Sequence, residues 1–168
     1  LAPGIAIMVT CFPFIVTVLS ILRQSIGLQQ SPPNMLIVSL AMFLTWFVMN
    51  PVLTEAWNTA GAPLRDGTIT VEQAFERGMI PFRGFMEART DPEMLASLAE
   101  VSPEPDAPAD RLSVLIPAFM LSEIQRAFEI GFLVALPFLI IDLVVSAVLM
   151  SMGMMMVPPT VVALPFKL

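Results

Sequence analysis

Side chains that could act in a reaction are few in this 168-residue sequence, and their types argue against catalysis. Histidine and tyrosine are absent and Cys11 is the one cysteine, so no Ser-His or Cys-His nucleophilic pair and no ordinary His/Cys metal site can be built. Neither a Walker-type glycine-rich loop nor a GxGxxG motif occurs. We therefore expect no enzyme, no cofactor and no metal site.

Asp142 is the carboxylate whose position is unusual, because it lies between the apolar runs Ile130 to Ile141 and Leu143 to Phe166. An ionisable group within apolar segments is energetically costly and is by default a functional-site hypothesis. An intramembrane aspartyl protease would need a second such aspartate. Two interpretations stay open: a structural pair with an arginine or a backbone amide of a neighbouring helix, or a proton-relay group of a transporter.

A methionine cluster precedes the Pro158-Pro159 pair, with five of the thirteen methionines between Met150 and Met156. Methionine is unbranched and polarizable, so a cluster suits a surface that must adapt to changing partners. Two consecutive prolines remove backbone donors and cannot lie inside an undistorted helix. The pattern predicts a deformable apolar loop or helix break, which is either an ordinary apolar loop or a constriction that lines a cavity.

The composition is that of a membrane protein, because 57% of the residues are hydrophobic and only 13% are charged. Soluble domains are typically about 25% charged. The net charge of −6 argues against nucleic acid as a partner, since phosphate binding needs clustered Lys and Arg. Because the sequence begins with Leu1 and ends directly after an apolar run, we expect it to be a fragment of a longer chain.

Residues 1–54 predict an apolar helical hairpin. Its first helix spans residues 1–22 with a kink at Pro13, and its second helix runs from Asn34 to Thr54 with a bend at Pro51. Polar side chains at the tip either lie at a membrane interface or dock a neighbouring helix. These are Gln29, Gln30 and Asn34.

Residues 55–129 hold thirteen of the fourteen acids and six of the eight basic residues, and they predict a small helical insertion. An amphipathic stripe begins at Val71, and Asp91-Pro92 predicts the start of a short helix that ends near Glu100. A further helix begins near Arg111 or Leu112. Residues 130–168 predict a second apolar hairpin with the methionine-rich loop at its turn. The positive-inside rule places the acidic insertion outside, in the periplasm, and the first hairpin tip in the cytoplasm.

Five motifs in order along the chain resemble those of the flagellar biosynthetic protein FliP family. Leu22 to Asn34 is similar to its LRxxxGxQQxPPN turn, and Pro117 to Phe132 is similar to the signature before its third apolar segment. The other three matching blocks are Pro137 to Leu143, Met152 to Pro159 and Leu164 to Leu168. No motif matches between Thr59 and Asp110.

The resemblance implies an all-α protein whose hydrophobic hairpins, with a small acidic helical insertion, form part of a membrane-associated export gate. It implies several copies that assemble with FliQ-like and FliR-like membrane partners in the bacterial inner membrane, at the flagellar basal body. Unfolded flagellar proteins would pass through this gate. Injectisome export proteins share much of the pattern, so a virulence-type gate subunit is the nearest alternative.

The resemblance also assigns roles to individual residues. Met154, Met155 and Met156 correspond to a gasket around the narrowest part of the conduit, in a gating loop whose backbone includes Gly153, Pro158 and Pro159. Glu123 corresponds to a glutamate implicated in subunit association. A proton-coupled transporter that uses Asp142, or a purely structural membrane scaffold, remains a competing hypothesis.

Overall fold

The computed structural model describes residues 2–27, 33–104, 106–108, 111–153 and 156–167, and the regular structure in these ranges is helical, with no strand. This agrees with the predicted all-α class. The helices are α1 (Ala2–Met8), α2 (Phe12–Ile26), α3 (Asn34–Ala56), α4 (Ala62–Arg65), α5 (Val71–Arg89), α6 (Pro92–Glu100), α7 (Leu112–Ser151) and α8 (Pro159–Lys167).

The first apolar segment is two helices, so the prediction of one kinked helix over residues 1–22 was wrong. α1 ends at Met8 and α2 begins at Phe12, with Cys11 as its N-cap. Pro13 lies in the first turn of α2, where its missing N–H costs nothing, but it cannot donate to the carbonyl of Val9 as a continuous helix would require. The break therefore precedes the proline.

The second helix continues well beyond the predicted end at Thr54. α3 passes Pro51 and runs through a π-helical turn, Trp57–Gly61, directly into α4, which gives one continuous helix over residues 34–65. Gly61 permits this turn, because a Cβ atom there would lie 2.3 Å from the indole ring of Trp57. The turn itself packs against α5.

The predicted cap of α6 is present, and α5 also begins with a cap, which was not predicted. Thr70 accepts a hydrogen bond from the backbone N–H of Gln73, whose side chain accepts one in return from the N–H of Thr70. Asp91 accepts from the N–H of Glu93 at 3.0 Å and starts α6 just before Pro92. These local hydrogen bonds satisfy amides that a helix start otherwise leaves without partners.

α7 has 40 residues and is about 60 Å long at 1.5 Å per residue. α2 lies along it, α5 and α6 cover its first half, and α8 folds back against its last part. Both boundaries of the predicted three-region division, after residues 54 and 129, fall inside continuous helices. The division into regions stays a prediction.

A compact core joins α5 and α7 beside the end of α1. Its fully enclosed members include Met86, Leu115 and Phe119, and the ring of Phe119 meets that of Phe85 edge-on at 5.8 Å. Residues 34–65 and 112–151 are both long and apolar enough to cross a membrane, by length and composition. Most of their apolar surface lies outside this core, so the fold leaves it for other contacts.

Candidate functional site

The turn between α7 and α8 exposes the side chain of Met156. α7 ends at Ser151, and Gly153 adopts a φ of 77°, a left-handed conformation that costs glycine little. Met156 is 94% exposed, and Pro158 is exposed just before α8 begins. Met154 and Met155 lie outside the described residues. The described part of this loop thus exposes Met156, one of the three methionines that the resemblance assigns to a gasket.

Asp142 forms an ion pair with Lys167 of α8. The ammonium nitrogen lies 2.9 Å from Oδ1 and 3.0 Å from Oδ2, and it also donates to the backbone carbonyl of Ser25 at 2.9 Å. Lys167 is 1% exposed at its side chain, whereas Asp142 is partly exposed. Only Oδ2 meets hydrogen-bond geometry, so the contact to Oδ1 is ionic. Lys167 thus ties the ends of α2 and α8 to the last third of α7.

Glu123 is fully buried and paired within its own chain. Arg89 of α5 donates to it from Nε at 2.7 Å and from Nη2 at 3.1 Å, in the two-pronged geometry that suits guanidinium and carboxylate. Arg126, one turn further along α7, donates to it at 3.2 Å. The neighbouring Ser122 accepts from the backbone N–H of Asp91 at 3.0 Å.

The predicted tip of the first hairpin is described only in part. Asn34 begins α3, and its side-chain oxygen accepts a hydrogen bond from Arg23 near the end of α2. Gln29 and Gln30 lie outside the described residues. The Asn34 contact links the two helices that flank the tip.

The structure does not bring these residues into one site. Glu123 and Asp142 are nineteen positions apart on one helix, which separates them by about 28 Å along its axis. The methionine turn begins beyond Ser151, about 13 Å further along. Within the described ranges, no group of three or more His, Cys, Asp or Glu side chains is placed to hold a metal ion.

Three partners of the candidate carboxylates were missed by the sequence reasoning. Lys167 had a readable signal, because it and Asp142 are the only charged residues after position 129. Arg89 had none, because it is one of six arginines in the acidic region and lies 34 positions from Glu123. Arg126 could have been proposed, since residues three apart on a helix are neighbours.

Two cavities of the structure have apolar linings, and one of them lies beside the turn between α7 and α8. A cavity of about 510 Å³ between α7 and α8 is lined by aliphatic and aromatic side chains, including Val148, Met152 and Phe166. A second, of about 600 Å³, lies among α1, α3, α5 and α7. Neither holds the arrangement of polar groups that orients a small polar substrate.

Comparison with known proteins gives one consistent result. The family model described as the FliP family matches residues 1–168. The chain is 49% identical over 173 residues to the flagellar biosynthetic protein FliP of Agrobacterium fabrum, covering 99% of this chain and 70% of that protein. It is 51% identical over 171 residues to that of Caulobacter vibrioides, covering 100% and 64%. It is 45% identical over 170 residues to the flagellar biosynthetic protein FliP of Bacillus subtilis, covering 99% of this chain and 77% of that protein.

Proposed function

Because the chain belongs to the FliP family, we propose that it is a subunit of the flagellar type III protein export gate in the bacterial inner membrane. The match over the whole sequence to relatives named flagellar biosynthetic protein FliP carries this proposal. The chain spans 64–77% of the length of the three relatives described above, so the activity of the whole protein belongs to the proposal.

Several copies, with FliQ-like and FliR-like partners, form the conduit through which unfolded flagellar proteins leave the cell. The extensive exposed apolar surface supports such an assembly, because isolated soluble chains rarely expose large contiguous apolar patches. On α3 the exposed large side chains include Met35, Phe43, Trp46 and Phe47. Lipid or neighbouring subunits cover this helix in the assembled gate.

Met154, Met155 and Met156 form a gasket in that conduit. Thioether side chains repack around whatever chain occupies the pore and still exclude water and ions. The exposure of Met156 and the left-handed turn at Gly153 support this role. Gly153, Pro158 and Pro159 hold the loop backbone, and Asp142 with Lys167 anchors the two helices behind it.

The test is conductance of the assembled complex with Met154, Met155 and Met156 all replaced by alanine. Alanine is too short to fill the opening, so we expect ion leakage above the wild-type baseline while the complex still assembles. The matched control replaces Met150 and Met152, which are 63% and 61% exposed and lie in the last turn of α7 and at its C-cap. That control is expected to stay at baseline.

If an assembled triple variant shows only baseline conductance, the gasket proposal is contradicted and a purely structural scaffold is favoured. A proton-coupled transporter instead requires Asp142→Asn to abolish transport without loss of assembly. An injectisome subunit is distinguished by complementation, since only a flagellar subunit restores motility to a strain that lacks its own FliP. The naming of the relatives favours the flagellar outcome.

A further inference from the structure

Met156 exposes its side chain more fully than any other large apolar residue in the described ranges. It is 94% exposed, followed by Met35 at 81% and Val101 at 78%. Met49 and Met86 are at the other extreme, at 1% and 0%. Oxidation of a methionine requires the oxidant to reach its sulfur, so exposure favours the reaction. Met156 is therefore the described methionine whose thioether is most open to a small oxidant.

The backbone places Met156 in a turn between two helices. α7 ends at Ser151 and α8 begins at Pro159. Met35, the next most exposed methionine, lies instead in the first turn of α3, a helix that lipid or a neighbouring subunit covers in the proposed gate. Met156 faces the aqueous conduit of that gate. A small, neutral, water-soluble oxidant thus reaches Met156 without passing through an apolar layer.

Few groups close to Met156 are free to stabilise an oxidised sulfur. A sulfoxide oxygen is a polar acceptor, and it needs a donor if it is to lie in apolar surroundings. Pro158 and Pro159 have no N–H, and the hydroxyl of Ser151 already donates to a carbonyl of α7 at 2.8 Å. The two charged residues after position 129 are paired with each other. Water must therefore supply hydrogen bonds to the sulfoxide, which brings water into the seal.

We propose that Met156 is a site of reversible oxidation by hydrogen peroxide, and that its sulfoxide opens the seal to water and ions. This inference rests on the proposed function, because it concerns the gasket of the export conduit. Oxidation turns a flexible apolar side chain into a polar one, and such a change disrupts methionine-rich interfaces. The property that lets the thioether seal the conduit thus also makes the seal sensitive to oxidants.

The reaction needs no other group of the protein. The sulfur lone pair attacks one peroxide oxygen, so an S–O bond forms while the O–O bond breaks. The proton on the attached oxygen passes to the departing oxygen, which leaves as water. The sulfur loses two electrons and the peroxide gains them. Methionine sulfoxide reductases reverse the step, because their thiols are oxidised to a disulfide while the sulfoxide oxygen leaves as water.

The first measurement is mass spectrometry of the assembled gate after graded treatment with hydrogen peroxide. The parent chain for this experiment carries Met154→Leu and Met155→Leu, so Met156 is the remaining thioether of the three. Each sulfoxide adds about 16 Da to its peptide. We expect Met156 to be half oxidised while Met49 and Met86 are still unmodified. Oxidation of Met156 no faster than that of the two buried methionines would overturn the inference.

The second measurement is conductance of the same samples. We expect peroxide to raise the conductance of the parent in step with the oxidised fraction of Met156, and purified methionine sulfoxide reductases to return it to the untreated level. Adding Met156→Leu supplies an apolar side chain that peroxide does not oxidise, so treatment should not move this variant from its own untreated level. Adding Met35→Leu instead is the matched control, and it should respond to peroxide as the parent does.

An equal peroxide-induced rise in the parent and in the Met156→Leu variant would overturn the inference, because the reactive group would then lie elsewhere. Constant conductance in a parent whose Met156 is oxidised would also overturn it. Met156→Gln separates these results from failure of the proposed function, since it places a polar side chain there without an oxidant. If Met156→Gln leaks and peroxide has no effect, the oxidation inference alone fails. If neither Met156→Gln nor the triple alanine variant leaks when assembled, the proposed gasket fails and the inference fails with it.

Discussion

At the scale of single residues, Lys167 shows how one buried cation is made tolerable. Its ammonium group donates hydrogen bonds to Oδ2 of Asp142 and to the carbonyl of Ser25, and Oδ1 of Asp142 lies 2.9 Å away as an ionic contact. Burying an ion is costly unless it is paired and hydrogen-bonded. The arrangement meets both conditions and explains how Asp142 can lie among apolar residues.

Replacing Lys167 with methionine keeps most of the volume and removes the charge, which leaves Asp142 without its counter-ion. We expect a loss of about 3–5 kcal/mol of unfolding free energy, measured by denaturant unfolding in detergent. The double variant with Asp142→Asn should recover part of that loss, since no unpaired charge remains. A Lys167→Met protein as stable as wild type would show that the pair contributes nothing to folding.

At the scale of helices, α2 approaches α7 closely because position 131 has no side chain. A Cβ atom on Gly131 would lie 2.5 Å from Cδ1, 3.0 Å from Cγ2 and 3.2 Å from Cβ of Ile21. The last of these atoms is fixed to the backbone, so rotation of the Ile21 side chain cannot relieve the whole overlap. Small residues are common where apolar helices pack at short distance.

Gly131→Ala should therefore push α2 away from α7. Overpacking typically costs about 1–3 kcal/mol, and the higher helix propensity of alanine returns up to about 1 kcal/mol. We expect a net loss of about 1–2 kcal/mol in detergent unfolding, and Ile21→Ala in the same chain should relieve most of the overlap, because only the contact with Cβ remains.

Gly84→Ala is the matched control, because Gly84 lies inside α5 with nothing within 4 Å of its Cβ position. The free energy of unfolding of Gly84→Ala should rise by about 0.5–1 kcal/mol. Equal gains at both positions would contradict the close approach of α2 and α7.

The same scale shows which parts of the fold could be read from the sequence. Asp91-Pro92 marked the start of α6 because a cap acts on amides two or three residues away. The methionine and proline cluster marked the break before α8 for a similarly local reason. The π-helical turn at Trp57–Gly61 has no such signature, since it depends on how α3 and α5 pack.

At the candidate sites, too, some long-range partners could be identified from the sequence and others could not. Asp142 and Lys167 were identifiable as a pair because no other charge lies in that part of the sequence. Arg89 could not be chosen among six arginines without the fold that brings α5 onto α7. Only structure could show that Glu123 faces inward.

At the scale of the whole molecule, charge and apolar surface are segregated. Thirteen of the fourteen acids lie between Glu55 and Glu129, whereas Arg23 lies at the end of α2 beside the predicted cytoplasmic tip. The positive-inside bias counts such basic residues near membrane segments. It predicts that the acidic region faces the periplasm in the assembled gate.

Cysteine labelling in intact cells tests this orientation. Cys11 is 1% exposed, so the parent chain should react little with a membrane-impermeant maleimide and serves as the blank. Arg77→Cys lies on an exposed position of α5 and should be labelled from outside once the outer membrane is permeabilised. Phe47→Cys, on the apolar surface of α3, should stay unlabelled because lipid or a neighbouring subunit covers it. Labelling of Arg77→Cys only after lysis of the inner membrane would place the acidic region in the cytoplasm and reverse the predicted topology.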